Sequence, residues 1–60
     1  MLRLKEIRQK RKLTQEALAG HLGLSRNAIY LYEAHQREPN LTILKQMSII
    51  LQCSLDELVA

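Results

Sequence analysis

LTQEALAGHLGLSRNAIYLYE, residues 13–33, holds two helix starts and a single glycine between two apolar patterns. Thr14 has the short oxygen-bearing side chain that caps a helix, and Ala17, Leu18 and Leu22 follow at helical spacing. Ser25 repeats the cap, and the pattern behind it predicts a helix to about Ala34. Only about Leu22, Gly23 and Leu24 join the two helices, so the chain must turn sharply. Gly23 can take the left-handed backbone angles that such a turn requires.

Two short helices around a glycine turn of about three residues form a helix-turn-helix. Ala19, four before Gly23, is small enough for close helix crossing, and Ile29, six after it, is placed to plug the gap between the helices. This trio is more specific than a helix-glycine-helix alone, although packing by itself can demand it.

Working outward, Leu4, Ile7 and Arg11 fall at three- and four-residue spacing and predict a first helix from about residue 2 to 12. Pro39 excludes helix through residue 38, because the residue before proline avoids helical angles. Asn40 can cap a fourth helix, and SLDE, residues 54–57, is a capping box opening a fifth. Strand signals are absent: no period-two run and no Asn-Gly or Asp-Gly turn occurs. The expected fold is all-α, five short helices in one domain over residues 1–60, with no repeat or linker.

A chain of 60 residues buries only ~60% of its unfolded surface, so a thin stability margin is expected. The single cysteine, Cys53, cannot form an internal disulfide, and with two distant histidines it offers no metal-ligand spacing. No metal or cofactor is expected, and Cys53 is read as a small buried hydrophobe rather than a reactive thiol. No apolar run approaches the ~20 residues of a membrane helix, and no signal peptide is legible. A cytoplasmic protein is expected. An enzyme has little support, because Asp56 and Glu57 serve the helix cap and no glycine-rich phosphate loop exists.

The net charge is +3, but residues 1–12 carry Arg3, Lys5, Arg8, Lys10, Arg11 and Lys12 against Glu6 alone. Such clustering suits a polyanion partner, or simply a solvated helix face. At ~100° per residue, Arg26, Asn27, Tyr30 and Ala34 share one side of the third helix. Ala28, Ile29 and Tyr32 take the opposite arc, so Tyr32 is expected in the core and Tyr30 at the surface.

LTQEALAGHLGLSRNAIYLYE resembles the helix-turn-helix of the phage repressor/Cro-type (XRE) family, and REPNLTILKQMSIILQCSLDEL is similar to that family's fourth and fifth helices. The resemblance covers about Leu4 to Leu58. It implies a compact five-helix lambda-repressor-like domain whose third helix enters the DNA major groove.

Arg26 has the donors to grip guanine bidentately, Asn27 has the donor and acceptor that match adenine's edge, and Tyr30 can touch a thymine methyl or donate to phosphate. Gln15 matches the family's phosphate-anchoring glutamine, and Ser25, Gln36 and Arg37 occupy positions that the family turns to the opposite backbone. Lys10 and Lys12 add long-range attraction, or are merely solvated. The resemblance also implies an ion pair between Arg8 and Glu33, structural rather than catalytic.

Two departures stand out. The family usually has glycine where His35 stands, so either His35 takes a strained cap or the helix ends differently and the loop before Pro39 shifts. Ser48 stands where alanine is common, and its hydroxyl can bond back within the helix.

In helix four, Leu41, Leu44, Ser48 and Leu51 are read as the inward face, with Ile43, Met47 and Ile50 as a second stripe about 100° round. Together with Leu55, Leu58 and Val59 this second stripe is read as a homodimer patch, unless the fifth helix covers it.

The expected function is a sequence-specific DNA-binding transcriptional regulator, a repressor, binding an inverted repeat as a dimer. The alternative is a protein-interaction module, antitoxin-like or adaptor, using the apolar face of helices four and five. No small-molecule effector site and no sensor domain are legible, so a minimal regulator or the DNA-binding part of a longer chain is expected.

Overall fold

Among the described residues, four of five helix starts are fixed by one side-chain oxygen each. The computed structural model describes residues 2–60. In it Thr14 Oγ1 accepts from the Ala17 amide at 3.0 Å and opens α2 (Gln15–Leu22). Ser25 Oγ accepts from Ala28 at 3.2 Å and opens α3 (Arg26–Glu33). Asn40 Oδ1 accepts from Ile43 at 2.9 Å and opens α4 (Leu41–Leu51). Before α5 (Leu55–Val59) the capping box is complete: Ser54 Oγ accepts from the Glu57 amide and Glu57 Oε1 from the Ser54 amide, both at 3.0 Å. Only α1 (Leu4–Lys10) starts without a side-chain cap.

The helix ends share one device. After α1, α2, α3 and α4 a residue enters the left-handed region: Lys12 (φ 58°), Gly23 (φ 69°), His35 (φ 59°) and Gln52 (φ 54°). The next amide then reaches back five residues, Leu13 to Arg8, Leu24 to Ala19, Gln36 to Leu31 and Cys53 to Ser48, at 2.9–3.2 Å. These are Schellman closures, which satisfy carbonyls the helix leaves open. His35 therefore takes the left-handed cap itself. Of the four only Gly23 avoids the Cβ clash of that conformation.

Leu4, Leu18, Ile29, Met47, Leu51 and Leu58 are fully buried, and Ile7, Ala19, Leu22, Ala28 and Tyr32 complete the core. The two ends of the domain meet: the Arg3 amide donates to the Leu58 carbonyl at 2.7 Å. Among the described residues no helix is long and apolar enough to cross a membrane.

α4 does not carry the two separate stripes expected of it. Leu41 is 59% exposed, whereas Met47, assigned to the outer stripe, is wholly buried. Ile43, Leu44 and Ile50 are partly buried against the same core. On a helical wheel Ile43, Leu44, Met47, Ile50 and Leu51 span about 120°, one broad buried arc rather than two stripes. The arc is that wide because α4 packs against both α2 and α5. Leu58 is likewise core, and Leu55 is half-buried. Of the six residues read as a dimer patch, Met47 and Leu58 belong to the core instead, Ile43, Ile50 and Leu55 are half-buried, and Val59 is exposed.

Candidate nucleic-acid interface

The helix-turn-helix is built by the expected trio. Ala19 is 2% exposed where α2 meets α3, Gly23 is left-handed, and Ile29 is completely covered. These contacts fix which side of α3 faces out. Ala28 and Tyr32 turn inward with Ile29, while Arg26 and Asn27 are exposed and Tyr30 is 52% exposed. None of the outward three makes a side-chain hydrogen bond to another described residue, so their donors and acceptors are available.

Beside this face lies an open cleft lined by Arg8, Thr14, Gln15, Glu16, Ala17 and Arg26. It joins the start of α2, with its unsatisfied amides, to the start of α3. Helix starts of this kind favour anions.

Behind the cleft sits a closed polar network. Arg8 Nε donates to Glu33 Oε2 at 2.6 Å and Arg8 Nη2 to Oε1 at 3.2 Å. Arg8 Nη1 donates to the Leu13 carbonyl at 2.7 Å, satisfying the loop after α1. Gln15 Nε2 donates to Glu33 Oε1 at 3.0 Å. The expected Arg8–Glu33 contact thus exists, and Gln15 is joined to it, which the sequence did not reveal.

The sequence is equally silent on the role of Arg11. Its Nε donates to the Leu51 carbonyl at 2.7 Å and Nη2 to that of Gln52 at 3.0 Å, so it caps the end of α4. The one available signal is its place four residues after buried Ile7. Arg3 pairs with Glu6 at 2.8 Å, and the guanidinium holds the Glu6 carboxyl below its ordinary range. Three arginines of the basic N-terminal segment are therefore engaged within the protein. Lys10 and Lys12 are exposed, and their ammonium groups make neither hydrogen bond nor ion pair with described residues.

The remaining candidates are less tightly grouped. Ser25 is exposed and its oxygen is occupied by the cap, but its hydroxyl hydrogen is not committed by that bond. Gln36 and Arg37 are exposed in the loop after α3, where Arg37 lines a groove with Leu2, Tyr32 and Pro39. Ser48 Oγ donates to the Lys45 carbonyl at 2.7 Å, the back-bond expected of it. Burial pushes the Cys53 thiol up, away from the thiolate a reactive cysteine needs.

The helix-turn-helix family model matches residues 4–58. The chain belongs to the helix-turn-helix family. This helix-turn-helix chain is 45% identical over 56 residues to YqaE, an uncharacterized HTH-type transcriptional regulator of Bacillus subtilis (strain 168). The match covers 93% of this chain and 48% of YqaE, so the chain spans about half the length of that curated relative.

Among solved structures, the DNA-binding domain of the P22 c2 repressor in solution is 40% identical, with a TM-score of 0.88 over 95% of this chain and 75% of that one. The P22 c2 repressor in complex with a synthetic operator is 41% identical, with a TM-score of 0.86 over 93% and 85% of the two chains. The five-helix helix-turn-helix fold is thus that of phage repressor domains.

Proposed function

We propose that this chain is a sequence-specific DNA-binding transcriptional regulator of the repressor type, acting in the cytoplasm. The observation that carries the reading is α3 itself: one side holds the fold through Ala28, Ile29 and Tyr32, and the other presents the side chains of Arg26, Asn27 and Tyr30, which have no hydrogen-bond partner among the described residues. Those three side chains would meet base edges in the major groove. Arg26 suits guanine and Asn27 adenine, each bidentate contact discriminating by ~1–3 kcal/mol. Gln15, Ser25, Gln36 and Arg37 would hold the sugar–phosphate backbone, with Lys10 and Lys12 adding salt-sensitive attraction. The similarity to a repressor solved on operator DNA supports this docking.

One eight-residue helix spans few base pairs, so the chain would act as a homodimer on an inverted repeat, with recognition helices ~34 Å apart. Selection of bound sites from a random DNA pool tests both points. An enriched inverted repeat is the expected result. An enriched single half-site would remove the dimer, and no enrichment at low salt would remove the regulator. In that last case Leu41 and Ile49, exposed on α4 at 59% and 76%, would make protein interaction the better reading.

A further inference from the structure

Glu33 closes the fold, but its second oxygen does something that folding does not require. Gln15 is at the first position of α2 and lines the same cleft as Arg26, and its amide is held by Glu33 Oε1 at 3.0 Å. An ionised carboxylate can only accept, so the bond dictates which end of the carboxamide faces inward. Nε2 must turn to Glu33, and Oε1 and the second N–H are left for other partners. A free glutamine would sample both orientations and several rotamers, and ordering it on binding costs free energy.

The charge arithmetic points the same way. A bare carboxylate behind a phosphate site would repel the ligand. Here Arg8 donates to both oxygens of Glu33, so the carboxylate can orient Gln15 while its charge is cancelled.

We propose that Glu33 is a positioning residue for DNA, holding the Gln15 carboxamide ready for a backbone phosphate while Arg8 neutralises it. This role rests on the DNA-binding reading above.

Glu33→Gln gives an isosteric test. Arg8 would claim the single carbonyl oxygen of the new carboxamide, whose NH2 would then face Gln15 and offer its Nε2 no acceptor, so the Gln15 carboxamide loses the anchor that fixes its rotamer. Affinity for the duplex most enriched from the random pool is measured for the parent, Gln15→Ala, Glu33→Gln and the double variant. Gln15→Ala is expected to weaken the parent about tenfold, as loss of a charge-assisted hydrogen bond does. In the Glu33→Gln background the same change should matter twofold or less. An equal loss in both backgrounds overturns the positioning role and leaves the function standing. No enriched duplex at all overturns the function, and this role with it.

Should Glu33→Gln fail to fold, the unaltered protein decides. NMR relaxation of the Gln15 side-chain amide is expected to approach backbone rigidity, S² ~0.85, against below ~0.6 for exposed Gln36 and Gln46. A Gln15 amide as mobile as those two overturns the proposal.

Discussion

Arg8 and Glu33, 25 residues apart in the chain, meet at 2.6 Å with side chains only 10% and 5% exposed. The pair ties α1 to the last turn of α3 in a region with little water to replace a lost partner. Removing one member leaves a buried charge uncompensated, which costs ~3–5 kcal/mol. At ~0.05–0.15 kcal/mol per residue, a domain this size has about 3–9 kcal/mol in all. Arg8→Ala is therefore expected to be largely unfolded at 25 °C, or to melt far below the parent. Arg8→Met with Glu33→Leu should be more stable than either single variant, because no orphaned charge remains. Urea titration followed by circular dichroism makes the comparison, and an Arg8→Ala midpoint equal to the parent's contradicts it.

His35 carries a Cβ in a left-handed cap, a conformation costing ~1–2 kcal/mol for an L-residue. Glycine removes that cost but adds ~0.5–1 kcal/mol of unfolded-chain entropy. His35→Gly is expected to stabilise by about 0.5–1 kcal/mol, a rise of a few degrees in Tm. His35→Val should lower Tm, since branching at Cβ worsens the same clash.

The two glycines should respond oppositely to alanine. Around Gly20, inside α2, a new Cβ meets nothing within 4 Å, so the gain in helix propensity, ~0.8–1 kcal/mol, is free to appear. Around Gly23 the space is equally open, but its φ of 69° makes any Cβ unfavourable by ~1–2 kcal/mol. Thermal melts of Gly20→Ala and Gly23→Ala should fall on opposite sides of the parent.

The Ser54 amide, donating to the Glu57 carboxylate, holds that carboxyl below its ordinary range. A carboxyl lowered by folding contributes stability that is complete above its unfolded value, ~4.3, and is lost as pH falls through the lower folded value. Stability should therefore decline from about pH 5 downward. Glu57→Gln, still an acceptor but without a titrating proton, should show a shallower decline. Denaturant midpoints at a series of pH values check the slope; identical acid limbs would exclude Glu57 as a contributor.

Base and phosphate contacts should separate in binding data. Arg26→Ala is expected to weaken the selected site by ~1–3 kcal/mol and relax preference at one position. Lys12→Ala should weaken all sequences alike and reduce the salt slope by about one. Anisotropy titrations at several salt concentrations distinguish them, and a uniform loss for Arg26→Ala would move that residue from the bases to the backbone.

Much of this is legible in the sequence, and for physical reasons. Caps at Thr14, Ser25, Asn40 and Ser54 act within three residues, so local chemistry alone reveals them. The division of α3 is equally local, since Tyr30 and Tyr32 lie about 200° apart on any helix. What escapes depends on distance. Arg11 caps carbonyls 40 and 41 residues away, and periodicity carries no trace of that. The α4 stripe is misassigned because an amphipathic pattern gives the width of a buried face only when its neighbours are known. Gln15 gives no sign of its own partner, because Glu33 lies 18 residues away.

The Arg3–Leu58 bond joins residues 55 positions apart and sets the fully covered Leu4 near Leu58, which closes the row of helices into a ring. A linear array can fray from one end while the other persists. In a ring, shortening the chain from either side opens the same seam and wets the same leucines. Loss of α5 should therefore loosen α1 directly, and through Arg8 and Glu33 the slackening would reach the far end of α3.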